Sequence, residues 1–139
     1  MADLTLTAAQ IAPTHPLEAE IISVILAETV TAGQAAYQTT SGTFGIADAN
    51  AAGKQQFRGI FLEGGGAGQA VSLLKHGPAY GYDLSGMDYD DPAYLSDTAG
   101  ALADAAGTMT VNVGRVLALT DSAKTKVLYI DADWLRAWS

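Results

Sequence analysis

The residues best equipped for chemistry lie between positions 83 and 97, where Asp83, Asp88, Asp90, Asp91 and Asp97 form the densest carboxylate group of the chain. Closely spaced carboxylate oxygens are what hard cations such as Ca²⁺ take as ligands. The run Asp88-x-Asp90-Asp91-Pro92 lacks the downstream Gly and bidentate Glu of a helix–loop–helix calcium loop. Asp also collects in turns, where its side chain bonds its own backbone. Solvated turns are therefore expected, and no metal. Asp88 and Asp91 acting as general acid and base would need a pocket that separates their pKa values, and no sequence feature indicates one.

The other chemical templates fail in detail. Gly64-Gly65-Gly66-Ala67-Gly68-Gln69 has the bare backbone of a phosphate cradle, but no Lys-Ser/Thr follows, and the strand-like Ala70-Val71-Ser72-Leu73-Leu74 comes next. A hairpin loop is expected there. His15 and His76 stand far apart, outside any His-x-x-x-His or Glu-x-x-His pattern, and read as loop histidines. Ser85 and Ser96 sit beside turns, with no Gly-x-Ser-x-Gly elbow. Cysteine is absent, which removes disulfides, thiolate metal sites and cysteine nucleophiles together. The expectation is a protein that is not an enzyme and carries no cofactor.

Fifteen acidic residues against seven basic ones give a net charge of −8, whose field repels nucleic acid and anionic membrane surfaces. Neither is an expected partner. At 139 residues, 49% hydrophobic and 16% charged, the chain has the composition of one folded domain. No apolar stretch approaches a signal core or a membrane span, so a soluble product is expected.

The elements that would position these residues are short and β-like. Residues 1–20 read as an extended N-terminal arm, with Leu4, Leu6 and Ile11 loosely alternating and Pro13 and Pro16 blocking regular structure; a frayed terminus is the alternative. Residues 21–30 are rich in β-branched side chains and predict a strand, although Leu26-Ala27-Glu28 would tolerate helix. Further strands are predicted over 35–38, 45–47, 59–62, 70–74, 79–82, 93–95, 108–118 and 126–131, separated by Gly, Ser, Asp and Asn. Tyr80, Tyr82, Tyr89 and Tyr94 flank the acidic stretch and suit core or cross-strand positions. The fold class is all-β, a small β-barrel or β-sandwich over residues 21–133, followed by a tail of residues 134–139. Trp134 and Trp138 in that tail are costly to leave in water and must dock, on their own fold or on a neighbour.

Within the β region a unit recurs. Ala36-Tyr37, Gly42, Ala47-Asp48-Ala49 and Arg58-Gly59-Ile60 return as Ala93-Tyr94, Gly100, Ala103-Asp104-Ala105 and Gly114-Arg115-Val116, offset by 56 to 58 residues. A second echo relates Thr31-Ala32-Gly33-Gln34-Ala35 to Gly66-Ala67-Gly68-Gln69-Ala70, each a Gly turn leading into an apolar strand.

The chain resembles the head decoration, or capsid cement, proteins of tailed bacteriophages. The resemblance rests on Ala32-Gly33-Gln34-Ala35-Ala36-Tyr37, Gly45-Ile46-Ala47-Asp48-Ala49, Arg58-Gly59-Ile60, Ala67-Gly68-Gln69-Ala70-Val71 and Asp83-Leu84-Ser85-Gly86. It continues through Tyr94-Leu95-Ser96-Asp97-Thr98-Ala99-Gly100-Ala101-Leu102-Ala103-Asp104, Val113-Gly114-Arg115-Val116 and Lys126-Val127-Leu128-Tyr129-Ile130-Asp131. It implies a compact β domain on the outside of an icosahedral shell, made in the host cytoplasm and held on the virion. The implied partners are the major capsid protein and sister copies in a homotrimer. The arm would commonly do the gripping. Leu4, Leu6, Ile11, Pro13, Trp134 and Trp138 are the contact residues expected from their apolar character and position. The alternative is a carbohydrate- or calcium-binding β module on a virion or cell surface, using the Tyr80 to Tyr94 region.

Overall fold

The computed structural model describes residues 3–13, 19–119 and 125–138. His15, Pro16 and the arm residues 14–18 lie outside the described residues. Among the described residues there are ten strands and no α-helix: β1 (Ala12–Pro13), β2 (Glu20–Ile25), β3 (Ala35–Gln38), β4 (Phe44–Ile46), β5 (Gly59–Phe61), β6 (Ala70–Tyr80), β7 (Pro92–Leu95), β8 (Leu102–Ala103), β9 (Asn112–Ala118) and β10 (Lys126–Asp131). They form a curled antiparallel sheet of the small-barrel or sandwich type, the all-β class expected from composition and turn spacing.

The strand order is β4-β3-β5-β6-β10-β9-β7-β8. The unit β3–β6 thus recurs as β7–β10, and the two copies meet where β6 pairs antiparallel with β10. Each unit places an alanine opposite a glycine: Ala36 faces Gly59, and Ala93 faces Gly114. The glycines are required by the strand that closes each unit. A Cβ on Gly59 would stand 2.5 Å from the Leu74 carbonyl oxygen, and one on Gly114 would lie closer still to the carbonyl oxygen of Tyr129. Gly59 to Gly114 and Leu74 to Tyr129 are both separations of 55 residues. The register therefore matches Gly59 with Gly114, one position away from the alignment read in the sequence.

The second echo is a repeated turn. Gln34 Oε1 accepts from Thr31 N–H while Gln34 N–H donates to the Thr31 carbonyl; Gln69 makes the same two bonds to Gly66. Gly33 and Gly68 adopt φ of +91° and +86°, which glycine alone reaches without cost. These turns launch β3 and β6.

Two expectations about strands change. The run 21–30 is strand only to Ile25; Leu26 then bridges Phe44 in parallel, so the chain leaves β6 and covers the edge of β4. The runs 70–74 and 79–82 are joined in one eleven-residue strand, β6, despite Pro78. Gly77, at φ +134°, lies where β6 changes partners, from β2 at His76 to β1 at Ala79. On its other side β6 passes from β5 to β10 in the same region.

The arm completes the opposite edge of the sheet. Asp3 bridges Ala103, and Leu4 N–H donates to the Leu102 carbonyl at 2.7 Å, so arm residues extend β8. Elsewhere the outer ends of the two units meet through Gly100 N–H to Ala47 O at 2.7 Å and Ala49 N–H to Ser96 O at 3.1 Å. The main core, including Phe57, Ile60, Leu74, Leu95, Leu128 and Ile130, lies inside this enclosure. A smaller cluster around Leu26, Phe44, Phe61 and Leu73 adjoins it, and Trp134 packs on both.

Tyr82 pins the approach to the second unit onto the first. Its hydroxyl donates to the Gly33 carbonyl at 2.6 Å, and burial pushes the phenol well above its ordinary value of 10. Tyr82→Phe would leave that carbonyl without this donor, and urea denaturation is expected to show a loss of about 1 kcal/mol.

Candidate functional site

In antiparallel pairing, residues directly opposite share a face. Tyr129 of β10 stands opposite Pro78 of β6 and Arg115 of β9, and Leu117 stands opposite Val127. One step further in the β6–β10 register brings Tyr80 beside Val127. The result is one outward face spanning β6, β10 and β9. On it Tyr80, Leu117 and Tyr129 remain 42%, 39% and 37% exposed, although all three are large and apolar. Scattered apolar side chains on a surface are ordinary, but three on adjacent strands of one face form a patch of the kind that protein partners cover. Tyr89 is exposed too but lies apart from the patch, its ring centroid 5.5 Å from the ammonium of Lys126, which stands on the other face of β10 from Tyr129. A second exposed pair, Ile21 and Ile25, lies on β2, whose strand pairing among the described residues is to β6.

Sequence reasoning did not find this surface. It placed Tyr80 among core or cross-strand tyrosines and gave Tyr129 and Leu117 no role. The alternation Val127-Leu128-Tyr129-Ile130 was the available signal, because it turns Tyr129 away from the buried Leu128 and Ile130.

Beside the patch, an ionic group ties three strands. His76 is in β6 rather than in a loop, a correction to the sequence reading. Its Nδ1 is 2.9 Å from Glu20 Oε2 on β2, and its Nε2 is 3.1 Å from Asp131 Oδ1 on β10. Lys75 Nζ reaches the other oxygen of Glu20 at 2.5 Å. The Lys75 and His76 hydrogen bonds hold the Glu20 carboxyl below its ordinary value of 4.5. A depressed carboxylate stabilises the fold above its unfolded value and loses that contribution as pH falls through the lower folded one. Urea denaturation should therefore find Glu20→Gln less stable than the wild type at pH 7, with the difference shrinking as pH falls below 4.5 and lost once the lowered folded value is passed.

The contact residues expected from the sequence lie mostly against the chain's own body. Ile11 is buried against Gly33 and Gly81, Leu4 packs on the main core, and Leu6 is half-buried beside Gly33. Pro13 ends β1, opposite Ala79. Trp134 donates from Nε1 to the Arg58 carbonyl at 2.9 Å and lies beneath Arg58 and Lys75. Trp138 is buried in the main core, its carbonyl held by Gln55 and Gln56. The indoles therefore dock on their own fold. The large apolar side chains left exposed on strands are those of the β6–β10–β9 face and of β2.

The acidic residues are not gathered into one site. Asp83 accepts from Ser85 N–H, Asp91 from Asp88 N–H, and Asp97 from both the N–H and the hydroxyl of Thr108. Asp90 takes a positive φ of 68° in its turn. Ser96 is buried and donates to Asp3, a contact that fastens the arm. Compared with protein-family models, curated proteins and solved structures, the chain matches none of them.

Proposed function

We propose that this protein decorates and braces the outside of an icosahedral phage shell, binding the major capsid protein and associating with sister copies as a trimer. The observation that carries the reading is the exposed apolar face of Tyr80, Leu117 and Tyr129 on a rigid three-strand platform. A face built on strands suits a broad, shallow interface, and a protein repeated across a lattice needs only modest affinity per copy. The −8 charge keeps decorated particles dispersed by mutual repulsion. The sequence resemblance points the same way.

The test compares heat resistance of expanded, DNA-free tailed-phage heads with and without the protein. Wild type is expected to raise the temperature at which heads rupture. Leu117→Asp combined with Tyr129→Asp should abolish that protection while leaving the circular dichroism spectrum intact, because both side chains are exposed. Undiminished protection by the double variant would remove this face from the account.

A further inference from the structure

The C-terminal tail walls a cleft against β9 and β10. The space is about 340 Å³, within the range of small-molecule sites, and is lined by Asn112, Arg115, Tyr129, Asp131, Arg136 and Trp138, with the bare backbone of Gly114 between them. A second depression, at Tyr94 and Thr110, shares Asn112, Arg136 and Trp138 with it.

The donors of this cleft are incompletely used. Trp138 is 8% exposed, and its Nε1 is the only buried side-chain polar atom without a hydrogen-bond partner among the described residues. That atom is sealed from water, so the indole serves the cleft as a packed wall under Arg136 rather than as a donor. The Arg136 guanidinium lies over the Trp138 ring, 4.1 Å from its centroid, and makes no ion pair among the described residues. Arg115 spends one nitrogen on the Asp90 carbonyl at 2.6 Å, and the Asp90 carboxylate is 3.9 Å away. Its other donors are not engaged by that contact. Two of the seven basic residues of an acidic chain thus line one cleft.

The acceptors narrow the ligand. Asp131 and Asp133 line the same space and would repel a polyanion such as an acidic peptide or a phosphate. They favour a ligand with one carboxylate and several hydroxyl donors. Tyr129, 37% exposed, offers a flat apolar wall of the kind on which a sugar ring's C–H face can rest.

We propose that this cleft binds an acidic sugar of the hexuronate type. Arg115 and Arg136 hold its carboxylate, and Asp131 and Asn112 meet its hydroxyls. The cleft shares Tyr129 and Arg115 with the outward strand face, whereas Arg136 belongs to the tail, so Arg136→Gln reads the sugar site separately from shell binding.

The experiment is a ¹⁵N NMR titration of the full chain with glucuronate, with glucose and N-acetylglutamate as matched controls. Glucuronate should move the Trp138 indole resonance saturably, with Kd on the order of 1 mM. Arg136→Gln, an exposed change that leaves the fold intact, should weaken binding at least about tenfold, the effect of losing one charge-assisted contact. Trp138→Phe supplies a second reading, through the Arg136 and Tyr129 signals. No saturable shift, an equal response to glucose, an equal response to N-acetylglutamate, or unchanged affinity in Arg136→Gln would each overturn the proposal.

Discussion

Gly114→Ala is expected to cost at least about 3 kcal/mol and to leave much of the protein unfolded at 37 °C. The added methyl would fall on the Tyr129 carbonyl, which is backbone in the adjacent strand and cannot rotate away. Relief requires β9 and β10 to separate, and β10 is the strand that joins the two units through β6. Overpacking commonly costs 1–3 kcal/mol and more where backbone must move, against a domain stability of about 5–15 kcal/mol. Gly59→Ala should act in the same direction, since its Cβ would meet the Leu74 carbonyl and its φ is +146°. Gly86→Ala is the control: nothing lies within 4 Å of the added carbon, and the change should stay within about 0.5 kcal/mol. Urea denaturation of the three variants checks the set.

The second large effect follows from the tail. Ending the chain after Asp133 removes Trp134, which contacts both core clusters, and Trp138, which is buried in the larger one. It also strips Gln55 and Gln56 of their bonds to Trp138 and the Arg58 carbonyl of its indole donor. Deleting one buried aromatic side chain costs about 3–5 kcal/mol, so losing both should consume at least about 5 kcal/mol. The truncated protein is expected to bind a hydrophobic dye and to lose its cooperative thermal transition. A cooperative transition near that of the wild type would show that the tail is dispensable.

The parts of this structure that were legible in the sequence are those set by local chemistry. The Ala-Gly-Gln turns at 32–34 and 67–69 declare themselves because only glycine takes their positive φ and the glutamine bonds back within three residues. The repeat shows because each unit carries an Ala-Tyr strand whose alanine faces a glycine, Ala36 with Gly59 and Ala93 with Gly114. Long-range pairing hides the rest. Pro78 reads as a strand break unless the change of partners around Gly77 is known. His76 reads as a loop residue until β2 and β10 bring Glu20 and Asp131 to its two nitrogens from 56 and 55 positions away. The arm reads as extended, but what it lies on is hidden until Asp3 and Leu4 meet β8, about 100 residues downstream. For the same reason the packing of Leu4, Leu6, Ile11 and Trp138 against the chain's own body was not visible in the sequence.

The most direct measurement of the proposed role is cosedimentation of the purified protein with expanded, DNA-free tailed-phage heads stripped of their own decoration. The proposal predicts saturable binding at a fixed number of copies per capsomer, lost in the Leu117→Asp, Tyr129→Asp double variant. Wild-type protein that stays in the supernatant with every expanded head tested, at concentrations well above micromolar, would contradict it.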